Sequence, residues 1–514
     1  MTSSIREKAG RAPFEPRHSA IVPTSIQPHR ASATLFSLAR AAVAQTRKWH
    51  SIATVLFFLC VLFVLTIPIK TTFNFYDEGF TVFNATRVMN GDISNKDFWT
   101  IYPPGQFYAL AAIFKILGTN LIVARIYDTF VRFVIAISIY LIGKRITSHF
   151  LALAACLATS LLLSSAGFYG YSVFPSLALG LLSILSLLQY ASTNRQRWLI
   201  FSGVMIGTAS WFRLDIGLYA GIAVGLTVVL YGFHRVTKDC SLSKTILSKF
   251  SPDYSKERKT PNKTFSSTVA MTVLSLVGGL LLAVIPFYGY LVIRGDINAL
   301  WNQVVIFPAT ELHQVRWLPY PDLIPNIFHR LTSISEANQI YEELMNWLRF
   351  YLPLTIYGGT FLLLVRSFLR GGTAFDTGRA GIVGVSLFGS LLFAQALSRY
   401  DYIHVIPTSI VLALVIAVLV DDNAPYLIAA RPLVRLSLFV FVILYLLSPI
   451  NTLISFARDF SPLSCYSRLD RASCIALRAD MAQETAVEFI RSHTREGEPI
   501  FVGLQNSDRI SIKP

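Results

Sequence analysis

The sequence predicts an all-α protein that crosses a membrane many times, and three observations predict it. Hydrophobic residues make up 53% of the chain and charged residues only 14%, with a mean hydropathy of +0.53, where soluble domains carry roughly 25% charged residues. Apolar runs of about 17 or more residues recur along the length, each long enough to cross a bilayer as a helix. Lipid cannot hydrogen-bond a backbone, so such runs are helical rather than open strand. The net charge of +16 resides largely in connectors between the runs, where basic residues set topology. No nucleic-acid partner is expected; the lipid bilayer is.

Residues 1–48 are rich in Pro, Ser, Arg and Ala, with Glu7 and Glu15 their only acids. That composition predicts a disordered basic cytoplasmic arm. The first span, 51–69, is too long for the core of a signal peptide and is followed by no small-residue cleavage site, so it stays as an anchor. A polar loop follows, 70–103. Within it, residues 79–90 carry Phe80, Phe83 and Val88 toward one side and Thr81, Asn84 and Arg87 elsewhere. This is a weakly amphipathic helix suited to lie on the interface. Pro103-Pro104 before residues 106–117 and Gly118 after them bracket a second helix. Its length, roughly 20 Å, falls short of the ~30 Å hydrocarbon core, so it reads as juxtamembrane or re-entrant.

Further spans are expected at 121–143, 149–167, 171–191, 198–212, 216–233, 269–293, 346–368, 381–397, 405–420 and 435–455, which with the first makes about 11. Placing the N-terminus in the cytoplasm puts the basic connectors inside: Lys144-Arg145, Arg195 and Arg197, the 234–268 loop, Arg366, Arg370 and Arg379, and Arg431 with Arg435. Counting 104–118 as a span would put the basic 234–268 loop outside, so it is left out of the count. The expected organisation is therefore an arm (1–48), a membrane domain (49–455) and an external tail (456–514). In the tail, residues 482–492 predict a helix, Gly497-Glu498-Pro499 a turn and residues 500–502 a strand, a small α/β unit.

The long external loop, 294–345, holds Trp301, His313, Arg316, Trp317, Tyr320, His329 and Glu342-Glu343. That mixture suits a sugar- or headgroup-facing surface or an interfacial aromatic belt. Cys465 and Cys474 lie close enough in sequence to pair outside the cell. No cysteine or histidine spacing predicts a structural metal.

Three carboxylate-bearing clusters collect on the expected external side. They are Asp77-Glu78 with the Tyr102-Pro103-Pro104-Gly105 segment, Arg213 with Asp215, and Arg399 with Asp401 and His404. Transfer of a group from a phosphate to a hydroxyl needs a carboxylate to take the hydroxyl proton. It also needs cations to hold the departing phosphate, for which the guanidinium fork is well shaped. Local salt bridging at span ends is the competing account of the two Arg–Asp pairs. Arg125, Asp128 and Arg132 share one face of the 121–143 helix and predict buried structural ion pairs. Asn84-Ala85-Thr86 matches a glycosylation sequon.

The order of these features carries a resemblance. An apolar anchor is followed by Asp77-Glu78, an amphipathic segment ending in Asn90-Gly91-Asp92, Tyr102 to Tyr108, Phe114 to Gly118, and then Arg125. The chain resembles in this the GT-C integral-membrane glycosyltransferases, in the branch of the protein O-mannosyltransferases and the lipid A aminoarabinose transferase. The resemblance implies a bundle of about 11 to 13 helices with juxtamembrane helices in the first external loop. It implies a polyprenyl-phosphate-linked sugar as donor, a glycan, lipid or protein as acceptor, and Asp77 as catalytic base. Glu78 would tune Asp77 or bind acceptor, and Tyr102, Pro104 and Gly105 would contact the acceptor or shape the loop. On chemical grounds Arg213 and Arg399 are the expected phosphate holders, oriented by Asp215, Asp401 and His404. Where the aminoarabinose branch has an acidic-basic pair before its double proline, this chain has Ile101-Tyr102, so phosphate recognition differs. Relatives vary in metal use, and Asp77-Glu78 leaves a divalent metal, Mg or Mn, open. The expected protein is an inverting glycosyltransferase of a bacterial inner membrane. A transporter or flippase, or a polymerase or ligase, of lipid-linked sugars is the rival.

Overall fold

A computed structural model describes residues 51–74, 76–167, 169–250, 262–311, 314, 318–323, 337–369, 376–421, 432–459, 467, 469–472, 474–477 and 483–495. The predicted arm, His313, Arg316, Trp317, His329, Cys465, the turn at 497–499 and the strand at 500–502 lie outside the described residues. The chain divides into two compact units, Met1–Leu59 and Cys60–Pro514. In the first, residues 51–59 are described and helical.

Every predicted span is helical. The elements are α1 (Ser51–Lys70), then α2 (Asp77–Met89), α3 (Gly105–Leu117), α4 (Leu121–Ile146), α5 (His149–Ser165), α6 (Val173–Thr193), α7 (Arg197–Phe212), α8 (Leu214–Phe250) and α9 (Asn262–Arg294). After these come α10 (Ile297–Trp301), a π turn (Asn302–Ile306), α11 (Phe307–Thr310), α12 (Ala337–Leu369), α13 (Thr377–Leu392), α14 (Ala394–Ser398), α15 (Tyr402–Val420), α16 (Pro432–Asp459) and α17 (Gln483–His493). Among the described residues, 9 helical stretches are long and apolar enough to cross a membrane. The other two predicted spans are α5 and α7, of 17 and 16 residues. Between the first two long spans, α2 and α3 are the two short helices expected in the first loop. The described part of the tail holds α17 and a 3-10 turn at Asp470–Ala472, with no strand beyond an isolated bridge from Thr72 to Ala476.

Contacts sort the connectors into two ends of the bundle. At one end Ser165 and Tyr402 share a hydrogen bond of 2.6 Å, joining the end of α5 to the start of α15. There too the Asn120 amide before α4 donates to the carbonyl of Asp470, and Lys96 reaches the carbonyl of Arg294 at the end of α9. The tail segment is tied to the first loop by Phe73 N–H to the Ala476 carbonyl at 3.0 Å and Ala476 N–H to the Lys70 carbonyl at 3.1 Å. Leu469, Ala472 and Ile475 pack with Leu121 and Phe73 behind it. Cys474, in that segment, is disulfide-bonded. At the other end Thr147 and Ser148 bond to Asp421, and Tyr231 to Ala191. Of the basic residues expected inside, Lys144-Arg145 stand just before Thr147, and Arg195 and Arg197 just after Ala191, at this second end.

Small residues let α7 and α9 approach closely, as membrane helices do in the absence of a hydrophobic driving force. A Cβ at Gly203 would stand 2.1 Å from the Leu276 carbonyl oxygen, and one at Gly279 would stand 2.0 Å from that of Ile200. Both obstacles are backbone, so neither can swing aside. A G203A or G279A substitution is expected to force the helices apart at a cost of about 1–3 kcal/mol, seen as a lowered melting temperature of the purified protein in detergent.

Candidate active site

Asn74 sets the start of α2. Its side-chain oxygen accepts the N–H groups of Tyr76 and Asp77, both at 3.1 Å, and its carbonyl accepts that of Gly79, an Asx turn that opens the helix. Its amide nitrogen lies 3.3 Å from Oδ2 of Asp77. Asp77 is exposed in this first turn, while its neighbour Glu78, rotated about 100° on the helix, is buried.

Glu78 is the anchor of a buried ionic network. Its Oε1 and Oε2 accept Nε and Nη2 of Arg125 at 2.6 and 2.8 Å, both side chains being at most 1% exposed. The Nη1 of Arg125 donates to the carbonyls of Ile69 and Thr71. About two turns further along α4, Arg132 pairs with Asp128 at 2.9 Å and donates to the Leu163 carbonyl. The ring of Tyr169 lies 4.6 Å from the Arg125 guanidinium and 4.5 Å from that of Arg132. A guanidinium in a dry interior is tolerable only with its donors matched; the donors of Arg125 tie α4 to α2 and the segment before it, and Nη1 of Arg132 ties α4 to α5. Glu78, expected to tune Asp77 or bind acceptor, has both of its oxygens on Arg125. Asn84, only 3% exposed, is likewise unavailable as a glycosylation site, because α2 turns it inward.

Two adjoining cavities open near Asp77. The smaller, about 50 Å³, is lined by Asp77, Phe80, Thr81, Tyr102, Gln106 and Tyr171 among others. The larger, about 370 Å³, has Tyr102, Arg213, Asp215, Gln395, Arg399 and His404 in its wall. Tyr102 and Pro103 line both. Pro104 precedes α3 as its cap, and a Cβ on Gly105 would stand 2.5 Å from the Trp211 carbonyl oxygen. Only glycine lets α3 begin against the end of α7, which brings Tyr102 beside Arg213.

The turn between α7 and α8 presents Arg213. It forms a bidentate pair with Asp215 at 2.9 and 2.7 Å, and its guanidinium stacks 5.0 Å from the Tyr102 ring centroid. Burial disfavours the charge, but the Asp215 carboxylate outweighs this and raises the guanidinium above its ordinary pKa. Arg399 gives Nε to Asp401 at 2.7 Å; among the described residues its two terminal nitrogens have no partner. Asp401 caps α15 by accepting the His404 N–H and lies 2.6 Å from His404 Nδ1. Burial pushes the Asp401 carboxyl up, but the His404 hydrogen bonds and Arg399 outweigh it and hold the carboxyl at about 2. An ionised carboxylate only accepts, so Nδ1 of His404 carries the proton. A folded pKa below the ordinary 3.8 means that the stabilisation by Asp401 is complete above the carboxylate range. It fades as pH falls from about 4 toward about 2.

Asp77, Tyr102, Arg213, Asp215, Arg399, Asp401 and His404 thus meet at one end of the bundle, on four separate stretches of chain. Gln395 carries no signal in the sequence and Gln106 stands there only as part of the segment from Tyr102 to Tyr108, each a single amide inside an apolar run. No group of three or more His, Cys, Asp or Glu side chains among the described residues could hold a metal ion. With Glu78 committed to Arg125, the Asp77-Glu78 pair does not supply two carboxylates to one ion.

Residues 102–247 match the family model of the dolichyl-phosphate-mannose-protein mannosyltransferases. This segment includes Tyr102, Arg125, Arg213 and Asp215. No curated protein sequence matches the chain. Among solved structures, the chain is similar to ArnT of Cupriavidus metallidurans bound to undecaprenyl phosphate, at 14% identity and a TM-score of 0.40, over 82% of this chain and 85% of that one. It is similar also to the oligosaccharyltransferase AglB of Archaeoglobus fulgidus in complex with an inhibitory peptide and a dolichol-phosphate, at 12% identity and a TM-score of 0.41. That match covers 80% of this chain and 56% of the archaeal one. The A. fulgidus oligosaccharyltransferase in complex with Zn and sulfate gives 12% identity and the same TM-score of 0.41, over 77% of this chain and 53% of that one.

Proposed function

We propose that this chain is an inverting membrane glycosyltransferase that moves a sugar from a polyprenyl-phosphate carrier to an acceptor hydroxyl on the external face of a bacterial inner membrane. One observation carries the reading: the cleft of Asp77 and the cavity of Arg213 and Arg399 share the wall of Tyr102 and Pro103. A base for the acceptor and cations for a departing phosphate therefore flank one point. The match to the mannosyltransferase family model over residues 102–247 supports the same chemistry.

The step follows from that placement. Asp77 takes the proton of the acceptor hydroxyl as its oxygen attacks the anomeric carbon. The bond from that carbon to the phosphate oxygen breaks on the opposite side, which inverts the configuration. The polyprenyl phosphate leaves with its bonding electron pair, and the phosphate gains one negative charge. Arg399 meets that charge with its unpartnered Nη groups, and Arg213 meets it with the Nη1 that Asp215 leaves uncommitted. Tyr102 holds Arg213 in place by stacking. Glu78 acts at a distance, fixing the first turn of α2 through Arg125.

The proposed orientation, N-terminus inside and site outside, rests on Lys144-Arg145, Arg195 and Arg197 standing at the end of the bundle away from the site. The deciding experiment is turnover by the purified protein with a panel of radiolabelled polyprenyl-phosphate sugars. Release of sugar with inverted stereochemistry is the expected result, and no turnover and no binding across the panel would remove the reading. Within that assay, R399A is expected to weaken binding of polyprenyl phosphate by about 10- to 100-fold, as loss of charged hydrogen bonds does. The measurement is a titration of the lipid into protein held in nanodiscs.

A further inference from the structure

Gln395 ends an apolar stretch that contains no other amide, and it is only 3% exposed where it lines the larger cavity. Its Nε2 donates to Oδ2 of Asp215 at 3.0 Å. Among the described residues its Oε1 has no hydrogen-bond partner. Which end of the amide faces which way follows from the neighbours. Asp215 is paired with Arg213, and an ionised carboxylate offers only lone pairs. The amide nitrogen must face it, because the reverse setting would press a carbonyl oxygen against a carboxylate. The oxygen is thereby left over, buried on a residue that lines the cavity, and buried acceptors are rarely left unsatisfied.

A group that answers this oxygen must bring a hydrogen. Of the parts of a polyprenyl-phosphate sugar, the hydrocarbon tail has no donor and the phosphate oxygens are acceptors that a carbonyl oxygen repels. Only the sugar carries O–H or N–H groups. We infer that Gln395 is the sugar-selecting residue of the donor site, its Oε1 accepting a hydrogen bond from a hydroxyl or amine of the sugar to be transferred. This rests on the glycosyltransferase reading. It divides the cavity by polarity: arginine donors for the phosphate, an amide acceptor for the sugar, with Asp215 holding one of each in register.

The test compares two probes on the full chain in nanodiscs: polyprenyl phosphate, and polyprenyl phosphate bearing mannose, glucose or arabinose. Wild type is expected to prefer at least one sugar-bearing lipid over the bare phosphate. Q395M, similar in length but with no acceptor, is expected to lose about 10-fold in affinity for that lipid and none for the bare phosphate. Monodeoxy versions of the preferred sugar give a second measurement on wild type alone. One deoxy position should cost about 10-fold, and in Q395M that penalty should vanish. An equal loss for both lipids in Q395M would make Gln395 a mere prop for Asp215 and overturn the inference. So would a monodeoxy series that wild type binds uniformly. Wild type that binds bare and sugar-bearing lipids equally overturns the selector alone. Wild type that binds neither overturns the glycosyltransferase reading and the selector with it.

Discussion

D77N is expected to lower sugar transfer by on the order of 10²–10⁴-fold, the usual worth of a general base, while leaving the affinity for the polyprenyl-phosphate sugar unchanged. The separation is what makes the substitution informative. Asp77 is exposed, and its side chain makes one described hydrogen bond, the 3.3 Å approach of the Asn74 amide. Asparagine keeps the shape and the helix start, and no buried partner loses a charge. A thermal melt should therefore be unmoved. Single-turnover rates with saturating donor would carry the whole effect. A D77N enzyme with wild-type rate would remove Asp77 from the chemistry, and one that binds no donor would mean that the carboxylate belongs to the donor site.

The neighbouring carboxylate should behave in the opposite way. E78Q leaves Arg125 charged in an interior where both side chains are at most 1% exposed, and breaking a buried pair from one side costs about 3–5 kcal/mol. The expected readout is loss of folded protein: low yield, a depressed melting temperature, and early aggregation in detergent. R125M should do the same and more, since the Ile69 and Thr71 carbonyls lose their donor as well. Because each single substitution strands the other's charge, the E78Q/R125M double variant should be more stable than the sum of the singles implies, with a coupling measurable by a double-mutant cycle. Additive losses would mean that the pair is not coupled, and E78Q at wild-type stability with reduced rate would return Glu78 to the chemistry.

Which parts of this architecture the sequence disclosed depends on what sets them. Helix positions follow from apolar run length, a local property, and α4, α6 and α15 lie where hydropathy puts them. The charges of α4 were readable as buried pairs because 128 and 132 are one turn apart. That Arg125 turns instead to Glu78, 47 residues earlier, is a fact of tertiary packing that no spacing encodes. The amphipathicity of α2 was visible, but its sense was not. Glu78, Thr81 and Asn84 face inward while Phe83 is 63% exposed, since beside a bilayer the apolar side of a helix need not be its protein side. The Arg213 and Arg399 turns could be named from charge alone. Their meeting with Tyr102 depends on Gly105 lying against Trp211, which the sequence shows only as a glycine after two prolines.

The network around Arg125 and Arg132 bears finally on how the chain is made. As it emerges, α4 presents two arginines and an aspartate within one span, each costing about 2.5–3.5 kcal/mol near the middle of a helix entering lipid alone. Its partners arrive at different times: Glu78 and the Ile69 and Thr71 carbonyls before it, Leu163 and Tyr169 only after α5 is complete. Membrane entry of α4 is therefore expected to depend on its neighbours as well as on its own apolar length, so defects in this network should show first as a low yield of folded protein.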